Sequence, residues 1–470
     1  KIFPFVDLQG QDNLKLAIIL NLIDEKISGV LIRGEKGTGK STAVRGIGEL
    51  IQRCGGSKKV VELPMNSTED RLVGSINIEK ALKEGEKVFE KKGAKVHMES
   101  EVLSIDEDKK TVKVRLADGS EIEDTYDKLI LATGSRPRSN NIPGEDLENI
   151  EVAKLFQDAK KVKEIGQRDE IKNVVVVGSG YIGVELAEAF QRIGKNTTLV
   201  TRSEKILHNY YDEDFSKPLQ DAMVENGIKI VLGENVEEYK GENGKVTAVK
   251  TDKGEYPADL VINSIGFVPN AFLGESLKKQ DKTGAYLVDK HFRTSNPDIY
   301  AIGDCATIYY KPTDSQEYVA LATNAVRSGI VAALNAGGLD LASPGVQGSS
   351  GMQIYGHKIV MTGMSLDMAA KYGIDVEYTD FEDLQKPAFM ENVENAKVKV
   401  RIVYRKDDRR IVGAQLGSTY DISMGIHMFS LAIQKDVTID ELALTDIFFM
   451  PHFNQPYNYI TMAAVSAVLG

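Results

Sequence analysis

The chain is poor in cysteine, in net positive charge and in long apolar runs. Its 470 residues include only two cysteines, Cys54 and Cys305, far apart and without metal-ligand spacing. This excludes a disulfide framework and favours a reducing cytoplasm. The net charge of -11 excludes a surface that neutralises phosphates in bulk, so we expect no nucleic acid partner. No apolar run reaches membrane-spanning length and no signal-peptide pattern occurs, so we expect no membrane association.

The length and the first residue give two further expectations. A chain of 470 residues predicts about three domains, and its composition is that of an ordinary globular protein. The chain begins at Lys1 rather than at a methionine, which we interpret as a fragment or a processed chain.

A glycine fingerprint occupies the middle of the chain. Residues 174–177 are four valines, typical of a strand buried on both faces, and they lead through Gly178-Ser-Gly-Tyr-Ile-Gly183 into a helix-forming run. Gly178 permits the tight turn, Gly180 lets a pyrophosphate approach the backbone, and Gly183 lets the helix pack on the strand. The positive end of the helix then faces the phosphates. The alternative is a merely glycine-rich turn. The predicted NAD(P) contacts are Gly178, Gly180, Tyr181, Ile182, Gly183, Thr201, Arg202 and Gly266.

The strand after the fingerprint helix ends in Thr201 and Arg202. An NAD-preferring site usually has Asp or Glu there, because a carboxylate binds the ribose hydroxyls. Without that carboxylate no charge repels a 2′-phosphate, and Arg202 can pair with one. We therefore predict that NADPH is accepted alongside NADH.

A phosphate-binding loop pattern occurs near the start of the chain. Residues 14–23 have the apolar spacing of a helix, residues 29–33 suggest a short buried strand, and the loop Gly34-Glu-Lys-Gly-Thr-Gly-Lys-Ser41 follows. In such a loop the backbone N–H groups cradle phosphates, Lys40 reaches the terminal phosphates and the Ser41 hydroxyl binds magnesium. The predicted ATP contacts are Gly34, Gly37, Gly39, Lys40 and Ser41, with Ser41 as the metal ligand.

Together with Phe3-Pro-Phe5, Gly10-Gln11 and residues 63–74, this loop makes residues 1–89 resemble the start of the ATPase subunit of magnesium chelatase, an AAA+ protein. That resemblance implies binding of ATP with magnesium. The acidic strand end and the arginine finger of that family do not follow after residue 90, so we expect poor hydrolysis. The simplest explanation is a junction of two unrelated coding sequences near Glu90, which makes the chain look chimeric.

Two segments on either side of the fingerprint resemble flavin motifs. Residues 128–134 suggest a buried strand that ends in Ala-Thr-Gly, and residues 294–304 end in Gly303-Asp304. In two-dinucleotide flavoproteins an aspartate at this second strand end binds the ribityl chain of FAD. Taken alone, Asp304 is equally well explained as a helix cap. The resemblance implies FAD contacts at Ala132, Thr133, Gly134, Gly303, Asp304, Ala320 and Ala322.

With these motifs and with Phe448-Phe-Met-Pro-His-Phe-Asn-Gln-Pro-Tyr457, residues 92–470 resemble the NADH oxidase and peroxidase branch of the pyridine nucleotide–disulfide oxidoreductases, most closely the NADH oxidases. The resemblance implies FAD and NADH or NADPH as cofactors, dioxygen as electron acceptor and a homodimer formed by the C-terminal domain. It makes His452 a candidate catalytic residue near the partner's flavin. The alternative is a histidine that serves only packing in a proline-bounded loop.

The chain departs from that family in two respects. The family begins with its own glycine fingerprint for FAD and then has a redox cysteine in a Ser-Cys-Gly context, and we find neither here. Cys54 follows the phosphate-loop helix, and Cys305 is expected to be a small packed residue. We therefore expect FAD to bind weakly or not at all. Where FAD is retained, we expect hydrogen peroxide rather than water as product.

Repeated strand–helix alternation predicts an α/β fold. It consists of Rossmann-like dinucleotide-binding domains with a C-terminal α+β dimerisation domain, preceded by a truncated P-loop segment. The predicted domains are a P-loop segment at 1–90, a residual FAD-binding domain at 91–150 and 271–345, an NAD(P)-binding domain at 151–270 and a dimerisation domain at 346–470. The predicted function is that of a flavin-dependent NAD(P)H oxidase, impaired by the two departures. The alternatives are an AAA+ ATP-binding protein of the chelatase type and a non-catalytic nucleotide-binding scaffold.

Overall fold

The computed structural model describes residues 12–23, 51, 95–391 and 393–469. The chain divides into two compact units, residues 1–98 and residues 99–470. In the first unit the structure describes helix α1 (Asp12–Ile23), which confirms the helix predicted from apolar spacing. The phosphate-binding loop at residues 34–41 and Cys54 lie outside the described residues.

The second unit opens with short strands. The first three pair with one another as an antiparallel sheet, whereas the fourth and fifth find their partners far along the chain. The strands are β1 (Glu101–Asp106), β2 (Thr111–Arg115), β3 (Glu121–Thr125), β4 (Leu129–Leu131) and β5 (Ser135–Pro137).

The middle of the second unit is a three-layered α/β domain. Five parallel strands in the order β6-β13-β7-β8-β9 carry helices on one face and the antiparallel sheet β10-β11-β12 on the other. The elements are β6 (Ile150–Glu151), α2 (Phe156–Gly166), β7 (Asn173–Val177), α3 (Tyr181–Arg192), β8 (Asn196–Val200), α4 (Glu213–Glu225), β9 (Lys229–Val231), β10 (Val236–Glu242), β11 (Lys245–Thr251), β12 (Glu255–Pro257) and β13 (Leu260–Asn263).

The four valines of β7 show why this strand is apolar throughout. Val174 and Val176 pack against the helices, whereas Val175 and Val177 pack against the antiparallel sheet. Side chains alternate between the faces of a strand, so a strand covered on both faces needs apolar residues at every position. Burial of each valine stabilises the fold by about 1.5–3 kcal/mol. The prediction of a strand buried on both faces is confirmed.

After β13 the chain returns to the first strands. Strand β14 pairs antiparallel with β5, and β15 pairs parallel with β4. The segments before and after the three-layered domain therefore join. The returning elements are β14 (Phe267–Pro269), β15 (Ile299–Ala301), β16 (Ile308–Tyr310), β17 (Ser315–Glu317) and α5 (Ala322–Ala336). This pairing of early with late strands agrees with a FAD-binding domain formed from two separate segments of the chain. The boundaries of that domain stay a prediction.

A five-stranded antiparallel sheet with helices on one side forms the C-terminal part, in the order β18-β19-β22-β21-β20. Thr379 on β20 donates a hydrogen bond to the carbonyl of Ala463 on the last helix at 2.9 Å. The elements are β18 (Ser350–Ile354), β19 (His357–Gly363), α6 (Leu366–Tyr372), β20 (Val376–Leu384), β21 (Lys397–Arg405), β22 (Ile411–Ser418), α7 (Ile426–Gln434), α8 (Ile439–Ala443) and α9 (Tyr459–Leu469). Among the described helices, none combines the length and the apolar character that crossing a bilayer requires.

A buried ion cluster joins the C-terminal sheet to the α/β domain. Arg401 on β21 is 5% exposed and lies 2.6 Å from Asp380, 2.7 Å from Asp214 and 3.2 Å from Asp212. Burial opposes the charge of the guanidinium, but the three carboxylates outweigh it and raise the pKa of Arg401. Asp212 directly precedes α4, so this cluster holds the start of that helix against the C-terminal sheet.

Candidate functional site

A cavity of about 500 Å³ lies beyond the carboxyl ends of β7 and β8. Ligands of open α/β sheets bind outside the carboxyl ends of the strands, so this is the expected place for a nucleotide. The cavity brings together five of the predicted NAD(P) residues, namely Gly178, Gly180, Thr201, Arg202 and Gly266. Ile182 and Gly183 lie in the first turn of α3 and do not line it.

The three fingerprint glycines meet different surroundings. Gly178 has a φ of +100°, and a Cβ there would lie 2.6 Å from the carbonyl oxygen of Ser264. A Cβ at Gly183 would lie 1.9 Å from the carbonyl oxygen of Gly178, which confirms close packing of the helix on the turn. A Cβ at Gly180 would meet no atom of the described residues within 4 Å. A Cβ at Gly178 or Gly183 would therefore crowd the backbone of this chain, whereas Gly180 leaves free space beside the cavity.

The end of β8 carries no carboxylate. Thr201 is buried and accepts a hydrogen bond from the Ser179 hydroxyl at 3.1 Å, which ties the strand end to the glycine turn. The Arg202 side chain is exposed at the rim of the cavity. Glu234 is the one carboxylate among the described residues that line the cavity, and it accepts hydrogen bonds from Thr251 and Tyr256. The rim beside Arg202 is therefore suited to an anion.

Tyr181 lies where the fingerprint helix α3 meets the C-terminal sheet, and it does not line the cavity. Its ring packs 4.5 Å from the ring of Tyr210, and its hydroxyl lies 2.6 Å from the Ser350 hydroxyl on β18. Burial raises the pKa of Tyr181, so the phenol stays neutral. The side chain links the fingerprint helix to the C-terminal sheet, and its predicted contact with NAD(P) stays a prediction.

A second cavity, of about 440 Å³, lies where β4 and β15 end. Its wall includes six of the seven predicted FAD residues, namely Ala132, Gly134, Gly303, Asp304, Ala320 and Ala322. Thr133 is directed elsewhere, because its hydroxyl donates a hydrogen bond to the backbone carbonyl of Asn270. Small residues dominate this wall, which leaves room for a bulky group to approach the backbone.

Asp304 carries the charge of the second cavity. Its carboxylate lies 2.6 Å from the ammonium of Lys154 and accepts a hydrogen bond from the Ser135 hydroxyl at 2.9 Å. The residue lies inside a 3₁₀ turn over Gly303–Cys305 and does not cap it, which disfavours the helix-cap alternative. A carboxylate acceptor beside a cavity of small residues fits the hydroxyl-bearing ribityl chain of FAD. These residues therefore fit a flavin.

The remaining candidates lie away from both cavities. Cys305 is fully buried, with its sulfur 3.1 Å from the carbonyl oxygen of Ile302, so it is the packed residue that we expected. His452 is exposed and lines neither cavity. Its catalytic role stays a prediction that requires a partner subunit. Neighbouring aromatic side chains are also exposed, namely Phe448, Phe453 and Tyr457.

Sequence reasoning missed three residues of the site. Lys154 follows β6, and its ammonium lies over the ring of Phe267, 4.3 Å from the ring centroid. Both residues line the second cavity, and His208 lines the first. None of the three belongs to a motif. A residue shortly after a strand of a parallel sheet is a candidate by position, and Lys154 is the third residue after β6.

A glycine fingerprint on a parallel sheet, a second cavity with a Gly-Asp turn and an antiparallel C-terminal domain define the class of oxidoreductases that bind two dinucleotides. The chain belongs to the pyridine nucleotide-disulphide oxidoreductase family, whose model matches residues 39–329. The model of the dimerisation domain of that family matches residues 353–458.

Relatives and solved structures refine this assignment. An NADH oxidase of Streptococcus pyogenes is 52% identical over 390 residues, which cover 81% of this chain and 85% of the relative. An NADH oxidase of Lactococcus lactis is 48% identical over 381 residues, with 81% and 85% covered. The water-forming NADH oxidase from Lactobacillus brevis bound to NADH has a TM-score of 0.78 and 37% identity, with 81% and 84% covered. An engineered water-forming NADPH oxidase bound to NADPH has a TM-score of 0.77 and 38% identity, with the same coverage.

These matches bear on the start of the chain as well. The family match begins at residue 39, inside the segment that resembles the chelatase subunit. None of these matches supports an AAA+ segment, a chimeric origin or an ATP site. Those interpretations rest on sequence alone, and the loop at residues 34–41 lies outside the residues that the structure describes.

Proposed function

We propose that this chain is a flavin-dependent NAD(P)H oxidase that passes electrons from NAD(P)H through FAD to dioxygen. The observation that carries the proposal is the adjacency of the two cavities. Gly266 lines the nucleotide cavity, and the next residue, Phe267, lines the cavity that fits a flavin. The walls of the two cavities therefore adjoin at these residues, which supports electron transfer between a nicotinamide in the first and a flavin in the second. The names of the relatives, NADH oxidases at 48–52% identity, support the same function.

The residues of the two cavities then have distinct tasks. Gly178 and Gly180 present backbone to the pyrophosphate at the positive end of α3. Asp304 accepts a hydrogen bond from a ribityl hydroxyl, and Lys154 holds that carboxylate in place and balances its charge. FAD, when bound, takes up two electrons from NAD(P)H and delivers them to dioxygen. The protein contributes mainly alignment and electrostatics to this chemistry.

NADPH is a substrate beside NADH in this proposal. The engineered NADPH oxidase carries Asp→Ala, Ala→Arg and Met→Ser changes at three consecutive positions, a Pro→Arg change five positions after the serine, and a Gly→Ala change eighteen positions before the triplet. At the same spacings this chain has Thr201-Arg202-Ser203, His208 and Gly183. At the three consecutive positions this chain has threonine, arginine and serine, and the engineered enzyme has alanine, arginine and serine. Neither has a carboxylate there. This agreement supports a site that accepts the 2′-phosphate.

The active form in this proposal is a homodimer in the cytoplasm. The family match to a dimerisation domain and the exposed aromatic residues around Phe448 and Phe453 support the dimer. His452, in the same segment, is proposed to lie near the partner's flavin. The two-cysteine composition supports a reducing compartment. ATP binding at Gly34 to Ser41 stays a separate sequence-based prediction.

The product of dioxygen reduction tests the proposal. It also tests whether Cys54 acts as a redox cysteine. Oxidation of one NADH by one dioxygen yields NAD⁺ and one hydrogen peroxide. Reduction to water needs a second pair of electrons, and a cysteine sulfenic acid takes part in that second reduction. In the presence of excess FAD we expect about one peroxide per NADH consumed. The matched variant Cys54→Ser should give the same ratio. A ratio near zero in the parent chain that rises to about one in Cys54→Ser would show that Cys54 is the redox residue. Absence of oxygen-dependent NAD(P)H consumption in both would contradict the oxidase function and favour a non-catalytic scaffold.

A further inference from the structure

His208 lines the nucleotide cavity together with Arg202 and Ser203, and Arg202 is near enough to influence its charge. The preceding residue, Leu207, is fully buried, has a φ of +55° and donates its backbone N–H to the carbonyl of Ser179 in the glycine turn at 2.9 Å. The carbonyl of Leu207 accepts a hydrogen bond from the backbone of Tyr211. The backbone that carries His208 is therefore fixed relative to the fingerprint, and the half-buried His208 lines the cavity.

Mostly cationic groups face His208. Arg202 and Lys205 lie on its own segment, and Lys371 reaches it from α6. Within the part of the chain that the structure describes, the carboxylate that opposes them is Asp367, also on α6, and it is paired with Lys205. Burial and these three cations lower the pKa of His208 below its ordinary value. With no anion in the cavity the imidazole is therefore neutral near neutral pH, beside a site that attracts negative charge.

We propose that His208 is a specificity-determining residue that takes up a proton when the 2′-phosphate of NADPH binds, so that the preference for NADPH over NADH increases as the pH falls. This inference rests on the proposed NAD(P)H function and adds to it a pH-dependent choice between the two coenzymes. The spacing supports it, because His208 occupies the place at which the engineered NADPH oxidase gained an arginine. A histidine there supplies the same charge only when it is protonated.

The direction of the pH effect follows from linkage. A phosphate beside the imidazole raises the pKa of His208 relative to the free protein, in which that pKa is lowered. Between the two pKa values the complex holds a proton that the free protein lacks, so binding tightens as the pH falls through this window. Below the lower pKa both states are protonated and no further gain occurs. The phosphate itself takes up a proton near pH 6, about its second pKa, which acts in the opposite direction.

The test uses fragments of the coenzyme, because their binding requires neither flavin nor turnover. Titration calorimetry of the full chain compares adenosine 2′,5′-bisphosphate with AMP at about pH 8 and about pH 6.5. We expect the ratio of the two affinities to increase about threefold to tenfold toward the lower pH. Both fragments carry a 5′-phosphate that titrates near pH 6, so the difference between them reports the 2′-phosphate site. We expect more proton uptake with the bisphosphate than with AMP. In His208→Gln the ratio should stay constant or fall as the pH falls, because only the phosphate titrates.

Two further variants complete the experiment. His208→Arg should favour the bisphosphate at both pH values, because its charge is permanent. His291→Gln removes a histidine that pairs with Asp289 and Asp340 and does not line the cavity, so it should behave like the parent chain.

The inference is overturned if His208→Gln keeps the pH dependence of the parent, or if His208→Arg shows that dependence. If the parent chain binds neither fragment, the proposed nucleotide site itself is wrong. If AMP binds and the ratio is independent of pH, only the role of His208 is wrong.

Discussion

Replacing Arg202 by glutamate is expected to lower kcat/KM for NADPH by a hundredfold to a thousandfold while changing that for NADH by less than about threefold. A hydrogen bond between charged groups contributes about 1.5–3 kcal/mol, and the new carboxylate adds repulsion of the 2′-phosphate. A total of about 3–4 kcal/mol corresponds to the expected factor. NADH is spared because a carboxylate at the end of β8 is the usual partner of the ribose hydroxyls. Initial rates with both coenzymes, in the presence of excess FAD, measure the effect.

The control for this substitution is Arg168→Glu. Arg168 is an exposed residue of the same domain that does not line the cavity, and the change in net charge is the same. Because salt screens exposed charges beyond about 10 Å, this variant should change both coenzymes by less than about threefold. Equal losses for NADH and NADPH in Arg202→Glu would contradict a specific contact with the 2′-phosphate.

Replacing Gly180 by alanine is expected to weaken binding of both coenzymes about tenfold to a hundredfold, without a loss of folding stability. Among the residues that the structure describes, the new Cβ meets no atom within 4 Å, so the fold accommodates it. It does occupy the space through which the pyrophosphate approaches the backbone. Gly178→Ala is less informative, because its Cβ would collide with the Ser264 carbonyl and destabilise the turn itself. The measurements are Kd for NADH and NADPH together with Tm.

Gly337→Ala is the matched control for Gly180→Ala. Gly337 follows α5 with a φ of -77°, and a Cβ there would come no closer than 3.4 Å to the carbonyl oxygen of Ala333. Both variants should keep Tm within about 3 °C of the parent, because neither loses a buried contact. Only Gly180→Ala should lose coenzyme affinity. Unchanged affinity in Gly180→Ala would show that the pyrophosphate does not approach this turn.

Local sequence was sufficient to predict the strand, the glycine turn and the helix on which the proposed nucleotide site is built. Four valines at residues 174–177 are apolar on both faces, and the structure buries them against two separate cores. The glycines after them are dictated by backbone geometry, which depends on residues close together in the chain. The antiparallel pairing of residues 399–404 with residues 411–417 was predictable for the same reason, because a short turn connects the two strands.

The rest of the site depends on contacts between distant parts of the chain. Lys154 reaches Asp304 across 150 positions, and Tyr181 reaches Ser350 across 169. Neither pair has a local pattern, because the strand pairing that brings them together is set by the whole fold. Tyr181 shows this limit, because its contact with the C-terminal sheet could not be predicted from the fingerprint in which it lies.

An anaerobic titration with NADPH in the presence of FAD tests the central claim most directly. The full chain is mixed with FAD, oxygen is removed, and the flavin absorbance is followed as NADPH is added and then as oxygen is admitted. We expect the absorbance to bleach with about one NADPH per flavin and to return with oxygen. The Gly180→Ala variant should need more NADPH. Flavin absorbance that NADPH does not bleach, under conditions in which both compounds are bound, would contradict the assignment of this chain as a flavin-dependent NAD(P)H oxidase.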